Sequence, residues 1–176
     1  ILFARVSREG YVGVVTKSAN YSCEVHIYDK KGKSIYDRKC IEMVSDLSFT
    51  DSSKGCVLSY ITAENGRLVT KVSKIVFTES GELWNSPGIN TLGLEVYGFS
   101  DGAFVLGMEA CGYVDGNGQI SSYYEYDGDL AAGASSGGMS ACLLYTSPSP
   151  RDDKQRRQAK VCTRPVQEQR QRTAYR

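Results

Sequence analysis

Residues 1–130 predict an all-β chain of small antiparallel sheets, and three observations carry that prediction. Apolar and polar residues alternate with a period of two, while helical spacing is not sustained anywhere in 1–141. Ser, Asp and Gly cluster between the apolar runs, where Gly supplies positive φ and Asp bonds its own backbone. Such clusters recur as Val6-Ser7-Arg8-Glu9-Gly10, Phe49-Thr50-Asp51-Ser52-Ser53-Lys54-Gly55 and Phe99-Ser100-Asp101-Gly102, with their glycines 45 and 47 residues apart.

Each period reads the same way. In the first, Tyr11–Thr16 is a strand, and Tyr21–Tyr28 puts Tyr21, Cys23, Val25 and Ile27 on one face. Asp29-Lys-Lys-Gly32-Lys33 is a tight hairpin signal, and Ser34–Lys39 returns. The second period runs Cys56–Ile61, Leu68–Phe77, a turn over 79–82, then Leu83-Trp84. The third has Ala103–Met108, Tyr113, a turn at Asp115–Gly118, then Gln119–Tyr126. About four strands in roughly 45 residues is the mark of a propeller blade, a sheet that must stack on neighbours to bury both faces. The blades fall at 1–40, 43–87 and 91–130, followed by a Gly/Ser/Ala loop over 131–141 and a disordered tail over 142–176. Three blades are fewer than a closed ring needs, so the expected class is a partial β-propeller. A two-sheet sandwich, which lacks such a register, is the alternative.

The tail differs in kind. Residues 1–141 hold 12 basic and 17 acidic side chains, whereas 142–176 hold 9 and 3, so a net charge of +1 hides two unlike segments. The segment admits three readings, of which a basic arm for nucleic acid and a plain disordered tail are two. Cys142-Leu-Leu-Tyr-Thr-Ser-Pro-Ser-Pro-Arg-Asp152 resembles translated read-through of a sequencing-library adapter, and such scars are left out of fold reasoning. Nucleic-acid binding is therefore not expected. The chain opens on Ile1, and we expect a native N-terminus, with any signal or anchor, to precede it. No apolar run approaches 18 residues, which excludes a membrane-spanning helix within the sequence itself.

The apolar-Ser/Thr-Asp-Gly turn before a strand, with the hairpin Val25-His-Ile27-Tyr28-Asp29-Lys-Lys-Gly32-Lys33, resembles WD40-like and related bacterial propellers. More closely, Tyr21–Tyr36, Asp46–Phe77 and Leu92–Tyr126 are similar to a family of unknown function, membrane-anchored and propeller-like, from Gram-positive anaerobes. The resemblance covers roughly 6–130. It implies an N-terminal membrane helix and an extracytoplasmic propeller, and it carries over no catalytic residue. Gly-His and Trp-Asp pairs typical of WD40 repeats are absent.

Chemistry-bearing motifs were few. Gly133-Ala-Ser135-Ser-Gly137 has the nucleophile-elbow spacing, but no histidine follows it. Asp115-Gly-Asn117-Gly-Gln119 opens like a calcium loop, yet the sixth and twelfth positions are Ile120 and Tyr126, so a hairpin is expected. Asp127-Gly-Asp129 reads as a solvated loop. His26, the single histidine, sits opposite Val25 and Ile27 beside Glu24, without metal-ligand spacing. Cys23, Cys40, Cys56 and Cys111 show no Cys-x-x-Cys spacing and read mainly as buried apolar side chains. Cys23 and Cys40 form the candidate structural pair. A four-residue loop over Lys30–Lys33 would set them opposite each other, whereas a three-residue loop with a bulge at Gly32 would pair Cys23 with Lys39.

The expectation is thus a non-catalytic propeller module for binding or sensing, with no cofactor, metal or catalytic residue. Its partner would be a protein, glycan or small molecule met through loops. The alternatives are an enzyme whose active site lies in blades outside these residues, and a structural spacer.

Overall fold

The structure, a computed structural model, describes residues 1–18, 22–78 and 81–126 in full, and 129–136, 139–145 and 159–163 as strands. Three four-stranded antiparallel sheets follow one another along the chain. The first comprises β1 (Phe3–Val6), β2 (Val12–Lys17), β3 (Cys23–Tyr28) and β4 (Ser34–Cys40). The second comprises β5 (Met43–Phe49), β6 (Gly55–Glu64), β7 (Arg67–Val76) and β8 (Gly81–Asn85). The third comprises β9 (Gly93–Phe99), β10 (Gly102–Gly107), β11 (Ala110–Asp115) and β12 (Ile120–Glu125). Within each sheet the strands lie in chain order, as expected of a meander joined by tight turns. These are three blades of a β-propeller, with β1, β5 and β9 as neighbouring inner strands.

A further sheet joins β13 (Asp129–Ser136), β14 (Met139–Tyr145) and β15 (Ala159–Thr163). This corrects the loop expected over 131–141. Small residues suppress the apolar alternation that marks a strand, but Ser136 pairs with Met139 across Gly137-Gly138, a dipeptide suited to a hairpin turn. Of the expected tail, Cys142–Tyr145 belongs to β14 and Ala159–Thr163 to β15, with Ala141 opposite Val161. The other residues of 142–176 lie outside the described set.

The blades stack through alternate residues. On the face toward the preceding blade, Leu47, Cys56, Leu58 and Ile75 of the second blade are buried against the first. Val96, Ala103, Val105 and Val114 occupy the matching positions of the third blade, buried against the second. The other face of the third blade buries Phe99, Phe104, Leu106, Cys111, Tyr113 and Tyr126.

One irregularity repeats. In all three outer hairpins the register shifts by one residue just inside the turn, at Ile27/Tyr28, Lys74/Ile75 and Tyr113/Val114. The first and third turns match atom for atom. Asp29 Oδ1 accepts from the N–H groups of Lys31 and Lys33 at 2.8 and 2.9 Å, and Asp115 Oδ1 from those of Asn117 and Gln119 at 2.9 Å each. Gly32 and Gly118 both take φ of 79°. The Asp115 segment is therefore a hairpin turn, as its sequence suggested.

Candidate functional site

Three inner strands, one from each blade, converge on Asp46. This carboxylate is almost completely buried, yet it sits where β5 would otherwise carry an apolar residue. Arg5 of β1 donates to Asp46 Oδ1 at 2.8 Å, and the Val96 N–H of β9 donates to Asp46 Oδ2 at 3.0 Å. Two further side chains of the second blade repeat the device. Ser48 Oγ accepts from the Gly98 N–H at 3.1 Å, and Asp51 Oδ1 from the Ser100 N–H at 2.7 Å. An inner strand is a sheet edge whose outward N–H groups need partners. Here side chains of the preceding blade satisfy the alternate N–H groups of Val96, Gly98 and Ser100.

Above this floor lies a cleft of about 720 Å³ bounded by β1, β5, β9 and their turns. Its first wall carries Arg5, half exposed and set over the Phe3 ring at 5.4 Å, and the exposed Arg8. The opposite wall carries Glu95 and Tyr97, whose hydroxyl donates to the Glu95 carboxylate. Burial first, and then that carboxylate, hold the Tyr97 hydroxyl well above the usual phenol range. Beyond the cleft, at the turn between β9 and β10, Lys74 Nζ donates to the Ser100 carbonyl at 2.5 Å while Tyr113 donates to Asp101 Oδ1 at 3.2 Å. Burial pulls the Lys74 ammonium below its ordinary value, with Asp101 and Asp51 opposing. The result is a rigid floor between a cationic wall and an anionic one. Such a site can orient a ligand bearing both charges. No arrangement in it activates a nucleophile.

The recurring turns read from the sequence line this cleft through Val6, Ser7, Arg8, Phe49, Thr50, Asp51, Ser53 and Phe99, whereas Cys23, Cys40 and His26 lie elsewhere. Cys23 and Cys40 are directly opposite each other across β3 and β4, buried and unbridged. The three-residue loop forms, since the Asp29 backbone N–H donates to the Lys33 carbonyl at 2.9 Å, and the bulge then shifts the register back to pair the cysteines. Hydrogen-bonded and open pairs alternate along antiparallel strands. Counting from the Ser18 N–H to Ser22 carbonyl bond, the Cys23 backbone points at β4, so Cys23–Cys40 is a hydrogen-bonded pair with the wider Cα spacing. Both thiols pack in the first interblade core, and burial raises that of Cys40.

His26 lies on the open face of the first blade. Its Nδ1 is 2.6 Å from Asp37 Oδ1, and Ser34 donates to Asp37 Oδ2 at 2.5 Å. The hydroxyl donates to the carboxylate rather than to the imidazole, so Ser34 and His26 share Asp37 and do not form a serine–histidine pair. Among the described residues no group of His, Cys, Asp and Glu could hold a metal ion. Ser135 lies inside β13 opposite Ser140, not on a strand-to-helix turn, and Asp127-Gly128 falls outside the described residues. Asp46 and Glu95 occupy the same place in successive blades, opposite Ser59 and Leu106. A recurring acid on an inner strand was the signal that could have found the site.

No curated protein matches this sequence. Among solved structures, the chain is similar to the β-propeller domain of the Trilobed protease from Pyrococcus furiosus, with a TM-score of 0.61 at 9% identity over 89% of this chain and 51% of that one. It is also similar to BamB from Moraxella catarrhalis (TM-score 0.56, 12% identity, 80% and 39% covered) and to the Pan2 WD40 domain of Neurospora crassa (0.51, 10%, 88% and 56%). The chain therefore spans from about two fifths to just over half of these structures. The fold is that of β-propeller blades, and residues 1–86, ending with the second blade, match a family of unknown function (DUF5711).

Proposed function

We propose that the protein is a non-catalytic interaction module that holds a segment of a partner protein in the inner-strand cleft. One observation supports this above all: the cleft sets Arg5 and Arg8 opposite Glu95, over a floor whose edge N–H groups are already satisfied by Asp46 and Ser48. With Arg5 held by Asp46, the exposed Arg8 and the second Glu95 oxygen face the ligand, and a peptide carries both signs. The family resemblance supports an N-terminal membrane helix ahead of the blades and an extracytoplasmic setting in the full-length protein. The adapter-like register of Cys142–Asp152 supports a non-native origin for the residues from Cys142 on.

Panning a displayed peptide library against the intact chain tests the cleft. Binders should be enriched that lose affinity on Arg8→Glu and on Glu95→Lys, measured by calorimetry. A library that yields no binder sensitive to either wall overturns the reading and favours a spacer. Fractionating cells that express the native full-length gene tests the anchor, and a soluble cytoplasmic product overturns it.

A further inference from the structure

The capping that completes β9 is missing one blade earlier. Thr50 stands opposite Gly55 as Phe99 stands opposite Gly102, so Leu47, Phe49 and Asp51 occupy the places of Val96, Gly98 and Ser100. The Thr50 N–H donates to the Gly55 carbonyl at 2.9 Å, toward β6. Inward and outward groups alternate along an antiparallel edge, so the N–H groups of Leu47, Phe49 and Asp51 point away from the sheet. In the third blade, Asp46, Ser48 and Asp51 accept from the three outward donors. By the same register their counterparts in the first blade are Phe3, Arg5 and Arg8, an apolar ring and two guanidinium groups that accept no hydrogen bond. Among the described residues nothing accepts from the N–H groups of Leu47, Phe49 and Asp51. The blade in position to cap them is present; it has no acceptor to offer.

Three open donors in a row select the form of the ligand. All three residues line the cleft. Neighbouring donors, two strand residues apart, lie about 6.8 Å from each other, too far for one small anion to bridge. An extended main chain presents carbonyls at that interval, which is how a strand is added to a sheet edge. A strand added there continues the sheet of the second blade. Its side chains then alternate between the two walls, one set toward Arg8 and the other toward Glu95. Acids in the first set and bases in the second match those walls.

We propose that a segment of the partner protein enters the cleft in extended form and joins β5 as a further strand, its carbonyls accepting from Leu47, Phe49 and Asp51. This added strand rests on the cleft reading above and specifies the backbone form and charge pattern of what the cleft holds. Calorimetry on the intact chain tests it with a blocked peptide of alternating Glu and Lys. The control is a peptide of the same composition in the order Glu-Glu-Lys-Lys. The alternating peptide should bind about tenfold more tightly. Single N-methyl groups placed along it should weaken binding about tenfold at every second residue, where N–H and carbonyl face β5, and have little effect between. Equal binding of the two peptides, binding by neither, or losses without a period of two overturns the added strand. Library binders that still answer to both walls would then leave the cleft reading standing, whereas their absence removes both.

Discussion

The two contacts between successive blades are built differently. Between the first and second blades the chain crosses in two residues, Ile41 and Glu42, and a single apolar cluster including Val15, Val25, Ile27, Leu47, Leu58 and the three thiols Cys23, Cys40 and Cys56 fills the gap. Ion pairs mark its ends, Arg5–Asp46 at the inner strands and Arg38–Glu82 at 3.1 Å on the outer ones. Between the second and third blades the crossing takes residues 86–92. That segment lies along β7, where Ile89 and Thr70 exchange backbone bonds of 2.8 and 2.9 Å and Ile89 enters the core as a wedge. Thr70 Oγ1 then donates to the Thr91 carbonyl and accepts from the Gly93 N–H, both at 2.6 Å. Gly98 completes the difference. A Cβ there would lie 2.9 Å from Val57 Cγ2 and 3.1 Å from the Ser48 carbonyl, whereas the matching residue of the second blade is Phe49. The first interface rests chiefly on apolar volume, while the second adds backbone closeness and directed hydrogen bonds to its own apolar cluster. Apolar packing tolerates reshaping; a hydrogen-bonded seam fixes the angle between its blades.

The largest expected effect breaks the second seam. Ile89→Ala should cost about 2–5 kcal/mol in urea unfolding, as removal of a fully buried aliphatic side chain does. Hydrogen exchange should then quicken in β9 and leave β1 unchanged; equal acceleration in both would mean that the seams are not separate. Asp46 joins both seams and should follow. Asp46→Ala strands the buried Val96 N–H and should cost about 1–3 kcal/mol, while Asp46→Asn keeps an acceptor and should cost less. Equal losses would show that charge, not the acceptor, is what matters.

Alkaline pH should separate the seams next. Burial raises the thiols of Cys40 and Cys56 and the hydroxyl of Tyr36, all in or against the first cluster. Because folded values lie above the unfolded ones, near 9.0 for thiols and 10.0 for tyrosine, their contribution is whole below pH 9 and is lost as pH rises beyond it. Each group steepens the loss by up to about 1.4 kcal/mol per pH unit. Cys56→Ala should flatten the slope above pH 9 whatever it does to the level below, and an unchanged slope would remove Cys56 from the account. The smallest effect is the outer ion pair. A double-mutant cycle on Arg38 and Glu82 should return a coupling of about 0.2–1 kcal/mol that fades with salt.

Blades, turns and strand faces were legible because they rest on local rules of spacing and turn chemistry. The burial of Cys23, Val25 and Ile27 follows directly from the period of two. The glycine repeat was legible in place but not in cause. Gly10 takes φ of 90° in its turn, whereas Gly55 and Gly102 open strands where a Cβ would meet the carbonyls of Ile75 and Val114 at 2.4 and 2.2 Å. The Cys23–Cys40 register depended on a bulge that loop length alone does not specify. Asp46, Arg5 and the Ile89 wedge were hidden for a different reason. They act between blades, across 41 or more residues of chain for the hub, and no local period records which side chain of one unit will cap the edge of the next.

The bulge repeated beside each outer turn also bears on the outward rim of the molecule. A flat outer strand offers a template on which another chain can lengthen the sheet, the first step toward a fibre. A bulge twists that strand out of plane, and here it falls on β4, β8 and β12 alike, next to turns rich in charge or glycine. Three successive rims are thus turned away from lateral growth by the same one-residue offset. Assembly is steered toward faces and away from edges, so these stacked sheets can be sticky between blades without becoming amyloid at the margin.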